Sequence, residues 1–562
     1  MAISANVIFD VRTGGSDTAN GGAFDPSVSA GMNADGAATS ANTSAPVFTS
    51  AAYSFVAGDV GAWLFIQAGT NCFVGWFQIA SVAANAATLS AASGAAVFYE
   101  LSLPSRSTAG FTGIATVASP TSIRWTIDYS QQNTAQVSYT DLANAGAGLT
   151  VSSAANPFGK HQVGNMLVVA SGTNFTAGNY IIASIGGSNV ATVTGAANIT
   201  TGAGSAGVGG LGGAMASAAK AVGKRTANSK VFVQGGTYTF TSSSSNVAGG
   251  VISMTSNNAQ DFPGVLAGWS GLRTYDSTGT APLLDAGAIS ATMATINGQY
   301  TLVRNLVIDC KSNATTTGMA VSGTGNNVSD VWVKNSTVNG FNIASGLAFR
   351  IRASGCSGTA AINWTSPYPL SYAEADNNTT TGFVVNVNGC FLNHCISRSN
   401  TGALKCGFTI TGSANMDGCV AYGNTADGIL INVANGYGFI RNTIVEGNGG
   451  FGVRAASNAP MVRIENLGDY NNTSGPYSTT TLPPPVNLVS ASGSFFVNAA
   501  GGNFALNTTA NQGALAVATG ITVFLTGTTT SYGDIGAAQK AASVLPPGGL
   551  LVNPGMSGGM RG

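Results

Sequence analysis

The sequence predicts an all-β chain: a long coil of parallel strands (a solenoid) preceded by two small duplicated β-modules. Three observations carry this prediction. A short block returns along the chain as Thr317-Gly318-Met319-Ala320-Val321, Asn339-Gly340-Phe341-Asn342-Ile343, Thr381-Gly382-Phe383-Val384-Val385, Cys406-Gly407-Phe408-Thr409-Ile410 and Asp427-Gly428-Ile429-Leu430-Ile431, with a looser copy at Gly450-Phe451-Gly452-Val453. Its glycine steps by 340 − 318 = 22, 407 − 382 = 25 and 428 − 407 = 21 residues, and the wider gap from 340 to 382 has room for two turns, with Ala361-Ile362 midway. Asn377, Asn400, Asn424 and Asn448 form a second series at nearly the same period. Upstream, Val60-Gly61-Ala62-Trp63-Leu64 matches Val163-Gly164-Asn165-Met166-Leu167, an offset of 163 − 60 = 103.

Repeats of this size, β-rich and punctuated by glycine, specify a solenoid. The chain lacks both a leucine ladder and helix-period segments. In a coil of parallel strands each strand pairs with the one a turn later, which satisfies the backbone along the axis. Asparagine tolerates left-handed backbone, and its side chains can stack and hydrogen-bond along that axis. Cys395 and Cys419 also lie one turn apart and read as small buried apolar groups.

On these residues the block resembles a right-handed parallel β-helix of the pectate-lyase-like superfamily, over roughly residues 225–540. That superfamily holds polysaccharide lyases and hydrolases and many phage tailspikes. Such motifs specify fold far better than activity.

Composition narrows the class. Charged residues make up 7% and the formal net charge is zero, against about 25% charged in ordinary domains. Nothing in this balance attracts nucleic acid or an anionic membrane. With 44% hydrophobic residues, such a surface suits a subunit locked into an assembly. No signal peptide or membrane-length apolar run is expected. Seven scattered cysteines suggest reduced thiols. No cysteine or histidine spacing fits a metal site, so neither metal nor cofactor is expected. His161 and His394 are the only histidines, which disfavours a Ser/His/Asp arrangement.

In order, residues 1–120 read as a first β-module that docks to a virion. Residues 121–205 read as its duplicate, 206–225 as linker and capping helix, 226–540 as the coil and 541–562 as a Gly/Pro-rich tail. The opening Val7-Ile8-Phe9-Asp10-Val11-Arg12 is a strand before a glycine-rich loop, and it resembles the start of virion proteins of this β-helix type. Gly69-Thr70-Asn71 matches Gly172-Thr173-Asn174, and Gly75–Val82 matches Gly178–Ile185. Gly202–Gly213 reads as a linker or tight packing loop, and Gly212–Ala221 as a helix. A helix followed by Val231–Phe240, with its Gly235-Gly236-Thr237-Tyr238, resembles the cap and first turn of a β-helix, whose open end must be covered. Tyr470–Pro485 reads as a loop, and Ser494–Asn498, Asn503–Asn507 and Tyr532–Ala537 resemble closing turns.

Glycoside hydrolysis would need two carboxylates on one face. The candidates are Asp309 with Asp330, 21 residues apart and so stackable on adjacent turns, and Glu374 with Asp376, alternating onto one strand face. Asp417, Asp427 and Glu446 are assigned to successive turns. For each, a solvated or turn-capping acid is the plainer role. A lyase would need an acid cluster for calcium and a basic residue. Arg350 and Arg352 share a strand face, but no such cluster surrounds them. Trp364 and Tyr368, near Pro367 and Pro369, are the surface aromatics expected to touch sugar, whereas Phe341, Phe383 and Phe408 recur in register and belong inside.

The resemblance implies a structural component of a tailed-phage virion: a tailspike, a tail-fibre-like protein or a head-decoration protein. It would be a homotrimer, made in the host cytoplasm and joined to other virion proteins through its amino-terminal modules, with bacterial surface polysaccharide as a possible ligand. The alternative is a polysaccharide hydrolase or lyase on the same β-helix. A surface adhesin is the third class, disfavoured by the lack of a secretion signal. No nucleic-acid partner and no membrane insertion are expected.

Overall fold

The computed structural model describes residues 7–18, 20–28, 31–38, 47–70, 75–89, 121–194, 197–258, 264–269, 281–402, 405–433, 437–457 and 461–516. The strand expected at 532–537 and the tail 541–562 lie outside them, as does Cys72. The chain forms two compact units. One holds Met1–Gly268, Ala281–Tyr368 and Asn378–Thr380; the other holds Trp269–Thr280, Pro369–Asn377 and Thr381–Gly562.

In the first unit, the opening strand Ile8–Val11 is wholly buried and pairs in parallel with Lys230–Gln234. It is therefore the first rung of the coil, not part of a docking module. Its other neighbour is Ala23–Phe24, paired antiparallel, and between the two its four residues are inaccessible.

The chain then builds a closed six-stranded barrel from Asn33–Ala38, Val47–Thr49, Trp63–Thr70, Gly75–Ala83, Ala86–Leu89 and Thr121–Asp128. Phe48, Leu64, Ile79, Trp125 and Ile127 fill it. Thr121–Asp128 pairs with both Trp63–Thr70 and Asn33–Ala38, so it closes this first module rather than opening the second.

The second module uses Val137–Asn144, Thr150–Val151, Met166–Phe175, Gly178–Ile185, Ala191–Thr194 and Thr200–Leu211 in the same strand order, and a bridge between Ala143 and Ser152 brings its two edges together. The duplication holds at the level of register. Trp63 faces Gln78 in the first hairpin, and Met166 faces Ile181 in the second, both displaced by 166 − 63 = 103 and 181 − 78 = 103. The short 3-10 turns before these hairpins are capped alike. Asp59 Oδ2 accepts from Val56 N at 2.9 Å, and Gln162 Oε1 accepts from Gly159 N at 3.1 Å.

The glycine-rich 202–213 segment belongs largely to a strand, not a linker: Thr200–Leu211 sits between Met166–Phe175 and Val137–Asn144. Its composition answers a steric demand, since a Cβ at Gly209 would lie 2.1 Å from the Val168 carbonyl oxygen. The helix falls later than expected, at Ala218–Lys224, because Gly212 and Gly213 turn the chain with left-handed φ. Ser217 caps it, and Asp17 takes the Ser217 hydroxyl at 2.6 Å.

The coil comes next. In the first unit Met319, Phe341 and Ile362 stack in register on successive parallel strands. In the second, Phe383, Phe408, Ile429 and Val453 do the same. The Phe383 and Phe408 rings lie 4.6 Å apart and nearly parallel. Beside them runs a glycine column, where a Cβ at Gly407 would meet the Gly428 carbonyl oxygen at 2.6 Å. The six cysteines among the described residues are buried and unbridged, as small apolar groups should be.

The asparagine series forms a ladder in the second unit. Asn400 Nδ2 donates to Asn424 Oδ1 at 2.8 Å, Asn424 to Asn448 at 2.9 Å and Asn448 to Asn472 at 2.8 Å. The same oxygens also accept the backbone N–H groups of Asn400, Asn424 and Asn448. Asn377 is not a member. It occupies the left-handed corner just before, and Asn378 holds the equivalent inward place, accepting Cys356 N at 2.8 Å.

The last rung is Val486–Ser490. The segment after it is not a closing turn. Phe496–Asn498 and Asn503–Leu506 form an antiparallel hairpin that folds back over the outside of the coil, burying Phe495, Phe496 and Phe504 against Val420 and Ile444.

Removing one ladder amide leaves buried partners unmatched. Asn448→Ala should lower unfolding free energy by about 1–3 kcal/mol in urea titration.

Candidate functional site

Of the two candidate pairs, Glu374 and Asp376 sit on the strand Glu374–Asp376 of the second unit. They do converge, but on a cation rather than on each other. Arg398, one rung later on Ile396–Arg398, donates from Nε to Glu374 Oε1 at 2.8 Å and from Nη2 to Asp376 Oδ2 at 3.2 Å. The Arg398 side chain is 10% exposed and that of Asp376 is 1% exposed. Asn377 Nδ2 adds a donor to Asp376 at 2.9 Å. The turn of the covering hairpin closes the place: a Cβ at Gly502 would lie 3.2 Å from Arg398 Nη2. Both carboxylates are thus held by charge-assisted hydrogen bonds to one guanidinium.

Farther along the same face lies Glu446, buried under the hairpin, with Oε2 accepting Phe495 N at 3.0 Å. Burial pushes its carboxyl upward against the opposing pull of Ser494 and Phe495. Burial also raises the Tyr422 hydroxyl, with the Glu446 charge adding to it. This acid anchors the hairpin.

Asp309 and Asp330 do not stack. Asp309 lies in register with Asp285 and Lys334. Asp330 falls on a left-handed corner four residues before the Lys334 position, because the strand bends there to turn the face of the coil. Lys311 joins Asp285 and Asp309 at 3.1 and 3.6 Å, and Arg350 closes on Asp330 at 2.5 Å. Arg350 and Arg352 accordingly separate. Arg350 is at the next corner and lies over Phe349, while Arg352 lies 4.5 Å from the Trp332 ring centroid.

Asp417 ends the strand Ala414–Asp417 and Asp427 lies in the loop just before Ile429–Ile431, so the two share one turn rather than stand on successive turns. Asp417 binds Arg441 at 2.9 Å, and Asp427 binds Arg454 at 2.7 Å. Of the sugar-contact candidates, Trp364 is wholly buried as the last inward residue of Ala360–Trp364, so it is not a surface group. Tyr368 is half-buried in the loop after it. His161 is half-buried and stacks on Tyr53 at 3.8 Å, with desolvation lowering its pKa to about 3. Among the described residues no three His, Cys, Asp or Glu side chains gather as a metal site would, and no helix is long and apolar enough to cross a membrane.

Sequence reasoning missed Arg398. The signal was present, since 398 − 376 = 22 is one turn of the coil. It also missed Phe391 and Phe439, which the same period links through Asn415.

The fold is a parallel β-helix. The chain is similar to pectate lyase Pel9A, at 15% identity and a TM-score of 0.47, over 58% of this chain and 92% of that one. It is also similar to the A-module of the mannuronan C-5 epimerase AlgE4 of Azotobacter vinelandii, at 16% identity and a TM-score of 0.33, over 44% and 70%. A third likeness is to the catalytic unit of a thermostable alpha-1,3-glucanase of Streptomyces thermodiastaticus, at 11% identity and a TM-score of 0.28, over 63% and 88%. The pectate-lyase-like likeness expected from the sequence thus stands as one of fold. No family model matches the chain, and no curated protein does.

Arg398→Met keeps the bulk of the side chain and removes the positive charge beside the buried Asp376. The expected loss is about 3–5 kcal/mol of stability at pH 7, measured by urea titration.

Proposed function

We propose that the chain is a structural component of a tailed-phage virion, in the manner of a tailspike, a tail fibre or a head-decoration protein, and that its β-helix binds host polysaccharide without cutting it. The observation that carries binding over cutting is the state of the acids. Glu374 and Asp376 share Arg398, Asp417 holds Arg441, and Asp309 shares Lys311 with Asp285. A hydrolase on the same β-helix would need a pair of carboxyl groups, one protonated and one free, facing a common substrate.

Three features favour a role within an assembly. A charged content of 7% leaves little to keep a free monomer apart from its neighbours. Two modules of one design precede the coil, a natural arrangement for attachment to other virion proteins. The opening strand is tied into the first rung, so that attachment would hold the coil directly. A homotrimer located in the virion and made in the host cytoplasm completes the reading.

The test is incubation of the purified protein with a panel of bacterial surface polysaccharides, scored for retention and for new reducing or unsaturated ends. Retention without new ends is expected. New ends that disappear in Glu374→Gln or Asp376→Asn would overturn the proposal in favour of a polysaccharide hydrolase or lyase.

A further inference from the structure

The second unit carries a cluster of exposed aromatic groups that the paired acids do not use. Tyr372 is 45% and Phe391 40% exposed. Tyr372 stacks on His394, one rung later, with centroids 5.0 Å apart and planes 12° from parallel. Phe391 meets Phe439 edge-on at 6.0 Å. Between those two rings lies the rung of Asn415, which stands in register with Phe391 and whose Oδ1 accepts Phe439 N at 3.2 Å. Arg441 lies 4.5 Å from the Phe439 centroid and is fixed from the other side by Asp417.

Along the axis the outward column therefore runs Phe391, Asn415, Phe439, Arg463, the last paired with Glu465. Along the backbone, ring, amide, ring and guanidinium follow one another at the rung spacing of about 4.8 Å, with the two rings leaning together over Asn415. A protein partner would favour a contiguous apolar patch. A polymer that offers an apolar ring face and a hydroxyl edge within each unit fits the alternation better, and that is the surface of a pyranose chain. The charges name the kind of sugar. Arg441 and Arg463 are each matched by an acid, and burial disfavours the charged form of His394. Among the described residues the face is thus locally neutral, its two guanidinium groups being held by acids rather than set out for a uronate or phosphate.

We infer that this face of the second unit is a binding site for a neutral, pyranose-rich polysaccharide, with Phe391 and Tyr372 as its stacking platforms and Asn415 as a hydroxyl partner. The inference rests on the reading that the protein binds host polysaccharide, and it goes further by naming the site and the charge class of the ligand.

The experiment is affinity electrophoresis of the full chain through gels holding a neutral glucan or galactan, or a polyuronate as the acidic counterpart. Phe391→Ala, Tyr372→Ala and the conservative Phe391→Trp and Tyr372→Phe variants run beside the wild type, with thermal midpoints and light-scattering masses recorded for each. Expected are retardation by a neutral polymer, little change between 50 and 500 mM salt, and a loss of about tenfold or more in affinity for each alanine variant. The conservative variants should keep most of the affinity.

Retardation that the alanine variants leave intact would overturn the site while sparing the binding reading. Retardation by the polyuronate alone would overturn the ligand class. Absence of retardation by any polysaccharide would overturn both. A change of mass in Phe391→Ala would assign the face to a subunit contact and overturn the inference.

Discussion

The constraint on which the coil depends is its register: every residue of a rung lies about 4.8 Å from the residue one turn earlier and one turn later. At that spacing, side chains of neighbouring turns cannot ignore each other. Inside, like stacks on like, as with Phe383 on Phe408 or Cys395 beside Cys419. Amides link head to tail from Asn400 to Asn472. Outside, the rule reverses. Asp309 faces Lys334, Asp376 faces Arg398 and Asp417 faces Arg441. Where two acids do share register, as at Asp285 and Asp309, Lys311 bridges them. Asp309, Asp376 and Asp417 are each drawn in this way into contact with a cation one rung away.

The amino-terminal modules obey a different rule. The first is a closed barrel, the second a sheet of the same strand order whose edges a bridge joins, and each begins its main hairpin from a capped 3-10 turn. The copies have diverged at the cap itself. Gln162 performs with a neutral amide what Asp59 performs with a buried carboxyl. Asp59 takes hydroxyl donors from Tyr53 and Tyr129 at 2.9 and 2.7 Å, and burial still pushes its pKa upward. The first module thus carries a buried polar cluster that its twin does without.

The coil was legible because its period is written into residues that have few alternatives. Glycine at 407 has a carbonyl where a Cβ would go, and phenylalanine at 383 and 408 fills the interior. Corners were less legible. Asp330, Arg350, Tyr372 and His394 all take left-handed φ, although none is a residue that advertises it as glycine does. Each such corner shifts the alternation of faces, which is why Asp330 was misplaced and Arg350 parted from Arg352. Trp364 was misread for a related reason: the prolines after it signal a loop, but the strand ends only once its last inward side chain is buried. The hairpin at 496–506 was read as strand without its direction, since a strand that folds over the outside has the same residue pattern as one that closes the end. Arg398 and the Phe391–Asn415–Phe439 column needed only the period already in hand.

The measurement that bears most directly on this account is native-state hydrogen exchange of the second unit. The backbone N–H groups of Asn400, Asn424 and Asn448 all donate to side-chain oxygens one rung away. If register holds the coil together, these three amides should exchange slowly and with a common opening free energy, equal to that of the Phe408 and Ile429 amides between them. Exchange at three unrelated rates, or as fast as that of the loop amides between Tyr470 and Pro485, would show that the rungs open independently and would contradict the account.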